Sequence, residues 1–83
     1  MSRAEKIREF AERFNDRLAP SLVEQALDYL QHNEEPLAFE ILCEHLFEHE
    51  VQISVDECVK AETLAAEMGI ECNALKRLRE LVK

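Results

Sequence analysis

The stretch Pro36-Leu37-Ala38-Phe39-Glu40-Ile41-Leu42-Cys43-Glu44-His45-Leu46-Phe47-Glu48-His49 decides the fold of this chain. Ala38, Phe39, Leu42 and Leu46 recur at steps of three and four, so a helix gathers them on one core face, with Ile41, His45 and His49 on its flank. Glu40, Glu44 and Glu48 recur every fourth residue on the opposite side, and Phe47 projects beside them. The segment before it, His32-Asn33-Glu34-Glu35-Pro36, reads as a turn: Asn33 suits the end of one helix and Pro36 the first turn of the next.

The same periodicity extends in both directions. From Arg3 to Leu18, residues Ala4, Ile7, Phe10, Ala11, Phe14 and Leu18 form an apolar stripe, with Arg8 and Glu12, or Glu9 and Arg13, paired across the outer face. Ala19-Pro20-Ser21 interrupts it, and Ser21 with Glu24 three residues on predicts a cap for a second helix that runs to about Gln31 and buries Leu22, Val23, Ala26, Leu27 and Leu30. After the central helix, Glu50-Val51-Gln52-Ile53-Ser54 reads as an extended link pinned by Val51 and Ile53. Ser54 and Glu57 form a capping box for a helix presenting Cys58, Ala61, Leu64, Ala65 and Met68, which stops at Gly69 with Ile70 as its apolar latch. A last helix from about Asn73 buries Ala74, Leu75, Leu78, Leu81 and Val82 and exposes Lys76, Arg77, Arg79 and Lys83. The expectation is an all-α fold, a compact bundle of four to five short helices in one domain over residues 1–83.

Composition supports this and narrows the function. A hydrophobic content of 47% with 34% charged residues is too apolar for disorder, and one Gly and two Pro favour helices with short connections. No apolar run reaches the roughly 18 residues of a membrane span, and MSRAEKIREF lacks the apolar stretch of a signal peptide, so a cytoplasmic location is expected. Cys43, Cys58 and Cys72 contain no C-x-x-C pair and read as reduced, half-buried core fillers. The net charge of −8 is uneven: residues 1–17 carry +1, residues 18–59 hold ten acids and no base, residues 60–71 carry −2 and residues 72–83 carry +3. Nucleic acid is a poor partner for that field, since phosphates require cationic groups; a basic protein is the natural one.

Enzymatic chemistry finds little support. With one glycine there is no phosphate-binding loop, and Ser2, Ser21 and Ser54 occupy no nucleophile turn. Glu34 and Glu35 are a pair of carboxylates in a turn, where solvation is the simpler reading than acid–base work. His45-Leu46-Phe47-Glu48-His49 fits an H-x-x-E-H zinc pattern, but a hydrolase also needs a third ligand, an open position and a cleft that 83 residues scarcely supply. Both histidines are therefore read as surface groups that satisfy themselves in water, with a weak, adventitious divalent-ion site as the alternative, and no catalytic residue, metal, cofactor or small-molecule substrate is assigned.

The acid stripe is the candidate site. A solvated helix face is the bland alternative, yet like charges at four-residue spacing weaken a helix and no lysine or arginine nearby in sequence offsets them. Phe47 at its edge is suited to anchor a desolvated contact. The expected contact centre is Glu40, Glu44, Phe47 and Glu48, with Glu34, Glu35, Glu50, Asp56 and Glu57 at the rim, facing a cationic cleft on a partner protein.

The string from Glu35 to Glu48, with its A-x-E-x-L-C-E-x-L-x-E core, followed by the link to Ile53-Ser54 and a helix ending Met68-Gly69-Ile70, resembles the small helical immunity proteins of bacterial polymorphic-toxin systems, the MafI-like and contact-dependent growth inhibition immunity families. The resemblance covers roughly residues 20–83. It implies a cytoplasmic antidote that binds and occludes the C-terminal toxin domain of its own system, often a nuclease, with no activity of its own. A helical adaptor for another basic protein is the alternative from a different class, and a small metal-dependent hydrolase a remote third.

Overall fold

The computed structural model describes residues 2–71 and 73–82, which form α1 (Arg3–Glu12), α2 (Pro20–Asp28), α3 (Glu35–Glu48), α4 (Val55–Met68) and α5 (Asn73–Arg77). Two 3-10 turns, Tyr29–His32 and Leu78–Leu81, continue α2 and α5. The expected all-α architecture is what the chain adopts: among the described residues there are five α-helices and no strand. Cys72, Lys83 and the side chain of Ala74, each given a role above, lie outside the described residues.

The central helix α3 packs against α1, α2 and α5, and α1 against α4. Its buried face is Ala38, Phe39, Leu42, Cys43 and Leu46. Phe10 and Phe14 of the first segment meet edge to face at 5.1 Å, and Phe10 lies 6.2 Å from Phe39, so three rings fill the middle of the core. Cys43 and Cys58 belong to it as expected but are fully rather than half buried, and burial raises the Cys58 thiol pKa. The extended link is pinned as its pattern predicts: Val51 and Ile53 are buried, and the Ile53 amide donates to the Leu81 carbonyl at 3.1 Å in a single parallel bridge between Ile53 and Val82.

Helix ends explain where the expectations hold and where they fail. Ser54 and Glu57 form the reciprocal capping box at α4, and Gly69 closes that helix at φ +65°. Asn33 takes the left-handed conformation expected of it. Glu50 takes the same conformation at φ +49°, with its amide donating to Phe47 and that of Val51 to Leu46, so α3 ends in the paired bonds of a Schellman motif without glycine or asparagine. Two boundaries differ from the pattern. Ser21 is not the cap of α2; Ala19 holds that position and Pro20 the first helical one, which places the Ser21 hydroxyl inside the helix. The first α-helix ends at Glu12 instead of Leu18, because residues 13–18 tighten into turns bonded to Phe10, Ala11, Glu12 and Phe14. Phe14 and Leu18 still reach the core, and the tighter path carries Arg17 across to the start of α4.

Candidate functional site

The C-terminal half of α3 and the C-terminal segment build one open groove of about 820 Å³, lined by Glu44, Phe47, Glu48, Glu50, Asn73, Arg77, Glu80 and Leu81. Glu44 and Glu48 stand on successive turns of α3 and are exposed; Glu50 is thrown outward by the left-handed turn that ends the helix. Glu80 enters from the 3-10 turn after α5. Four carboxylates thus face one guanidinium, that of Arg77, so the groove is strongly anionic.

Phe47 forms its aromatic wall. The ring is half-buried, and the Arg77 guanidinium carbon lies 5.0 Å from its centroid, a cation–π arrangement. No base lies beside the stripe in sequence, as expected; the guanidinium in the groove comes from α5, far along the chain. Arg77 is itself exposed, so the contact is worth only about 0.5–1 kcal/mol.

The remaining predicted residues divide by location. Glu40 lies one turn before Glu44, half-exposed and outside the groove lining. Glu34 and Glu35 are at the opposite end of α3, about 20 Å from Glu48 at 1.5 Å per residue, so they do not rim the groove. Glu35 is also paired with Arg3 at 3.5 Å. Asp56 is exposed in the first turn of α4 and does not line the groove.

Glu57 is a correction. Instead of standing at the rim, its side chain is buried, with the residue only 3% exposed, and is held by a polar clasp. The Arg17 guanidinium donates to both of its oxygens, at 2.9 Å to Oε1 and 2.7 Å to Oε2, and Arg13 Nε donates to Oε2 at 3.3 Å. The Ser54 amide completes the set at 2.9 Å. Hydrogen bonding to Arg17 is the largest cause that lowers the Glu57 pKa to about 2, against the opposing effect of burial, and the same bond raises that of Arg17. Arg17 also stacks over the Phe14 ring at 4.6 Å and donates to the Gln52 and Arg13 carbonyls. This carboxylate is structural, joining the end of the first segment, the link and α4.

The histidines divide as well. His49 is exposed, while His45 is half-buried, and both His45 ring nitrogens are shielded from solvent without a hydrogen-bond partner among the described residues. The reading of His45 as a self-satisfied surface group therefore fails. One ligand atom each of His45, Glu48 and His49 lie within 4.8 Å of one another.

Sequence reasoning missed Glu80, Asn73 and Arg77 as groove residues, because their position depends on how α5 packs on α3. A second groove of about 510 Å³ between α1 and α4 includes the exposed Val59, but its charges are mixed and Lys6 there is bonded to Glu67 at 3.2 Å. No helix among the described residues is long and apolar enough to cross a membrane. No protein-family model, curated protein or solved structure matches the chain.

Proposed function

We propose that this chain is a protein-binding domain whose α3–α5 groove captures a basic surface on another protein. The observation that carries the reading is the juxtaposition of Glu44, Glu48, Glu50 and Glu80 around the half-buried Phe47. An aromatic anchor ringed by carboxylates fits a cationic, partly apolar projection: the ring supplies desolvated contact and the acids supply steering and register. Glu50 adds support. A non-glycine residue in the left-handed region is strained, and such strain gathers where a side chain is needed in a particular direction.

Within that class, the particular role we propose is an immunity protein that neutralises the toxin domain of its own polymorphic-toxin system. What supports it is the resemblance of residues 20–83 to the MafI-like and contact-dependent growth inhibition immunity families, together with the charge of the groove. Nucleases bind polyanions through basic sites, which an anionic surface can occupy or screen. Electrostatic steering also accelerates encounter, a property an antidote requires.

The test is to read the frames adjacent to this gene for a polymorphic toxin and to co-express the chain with the C-terminal domain of that toxin. The wild-type chain is expected to restore growth and to co-purify with the domain. Glu44→Lys with Glu48→Lys is expected to abolish both while far-UV circular dichroism and melting stay near wild type, since both side chains are exposed. Unaltered protection by the double variant refutes the groove as the site, and co-purification with a non-toxin basic protein instead favours an adaptor.

A further inference from the structure

The last two turns of α3 carry two histidines that the groove does not use, beside a glutamate that it does. His45, Glu48 and His49 occupy positions i, i+3 and i+4, which a helix brings to one side. Their ligand atoms converge within 4.8 Å, and the His45 and His49 rings are 6.5 Å apart between centroids. Independently, half-buried His45 holds two ring nitrogens away from water with no hydrogen-bond partner among the described residues, and shielded nitrogens left in that state are costly unless something accepts a lone pair.

We infer that His45, Glu48 and His49 form a binding site for a divalent transition-metal ion, with zinc the best match. Two imidazoles and one carboxylate are a borderline donor set, which suits zinc better than the all-oxygen preference of calcium or magnesium. Tetrahedral ligands at zinc lie about 3.4 Å apart, and two imidazoles sharing the ion have centroids about 5 Å apart. The observed spacings therefore close by between one and two ångströms. Glu48 and His49 are exposed and free to make that movement by side-chain rotation towards the half-buried His45. The helix C-terminus also favours a cation, because its last carbonyls carry partial negative charge.

The ion would take the lone pair of one His45 nitrogen and tie the final turn of α3 to the residue that caps it, His49. One coordination position or more remains for water. This site stands whether or not the groove binds a protein, since its ligands other than Glu48 lie outside the groove lining.

The experiment is titration of chelator-treated protein with Zn²⁺ by calorimetry, with Co²⁺ absorption as the report on ligand type. One ion per chain is expected, with a Co²⁺ spectrum free of thiolate-to-metal charge transfer and a melting temperature that rises with metal. His49→Ala and Glu48→Gln, both at exposed positions, are each expected to weaken binding at least about tenfold and to remove the metal-dependent rise in melting. Glu24→Gln, an exposed acid on α2, is expected to leave the titration unchanged. Absence of binding, unchanged affinity in His49→Ala, or thiolate bands from the cysteines would overturn the inference.

Discussion

Replacing Glu57 by glutamine removes the charge of the clasp while leaving a side chain that still accepts from the Ser54 amide. In the folded chain the Glu57 pKa is lowered from 4.5 to about 2, and each tenfold change in proton affinity is worth about 1.4 kcal/mol, so the full effect is about 3 kcal/mol. Arg13 and Arg17 keep 41% and 36% of their side chains exposed, and solvent screening reduces the expected contribution to about 2 kcal/mol. A chain of 83 residues has a total stability of about 4–12 kcal/mol, so the loss is a large fraction of it. The sign in pH follows from the direction of the shift. Because the folded pKa is the lower one, the contribution is complete above about 4.5 and is lost as pH falls towards about 2. Urea unfolding followed by far-UV circular dichroism, on wild type and Glu57→Gln across that range, isolates the term, since other carboxylates titrate alike in both proteins. At pH 7 the variant is expected to be about 2 kcal/mol less stable, melting about 8–16 °C lower, with the gap nearly closed at pH 2. A variant within about 0.5 kcal/mol of wild type at pH 7, or a gap that does not narrow on acidification, refutes the assignment of Glu57 to the clasp.

Two further substitutions probe the C-terminal segment and the strained turn. Leu78→Ala removes a fully buried side chain from the turn after α5 and is expected to destabilise by about 2–5 kcal/mol in urea unfolding; a smaller loss would mean that this segment is not part of the core. Glu50→Gly relieves the left-handed strain at the end of α3 and is expected to stabilise by about 0.5–1 kcal/mol in the same assay while weakening capture of a basic partner through loss of one groove carboxylate.

Much of the fold was legible because its signals are local. The apolar steps of Ala38, Phe39, Leu42 and Leu46 name the face that α3 buries, and the Ser54 and Glu57 box and Gly69 mark both ends of α4. The miss at Ser21 is equally local: Pro20, already suited to the first helical position, made Ala19 the cap. Glu50 was not readable as a helix-ending residue, since glutamate carries no preference for the left-handed region; Val51 fits the core only if the chain turns there.

The candidate site was half legible. Glu44, Phe47, Glu48 and Glu50 were found because they share the end of one helix and its following turn, and nearness along the chain is nearness in space there. Composition and periodicity by themselves determined an all-helical fold with an acidic middle section and a Glu stripe beside an aromatic. Tertiary structure alone decided which of those acids face solvent. It drew Glu57 to an arginine 40 residues away, brought Arg77 over Phe47, added Glu80 to the groove and shielded His45 from water. The physical reason is that caps and helix faces depend on atoms three or four residues apart, whereas the neutralisation of a charge depends on which helix packs across from it.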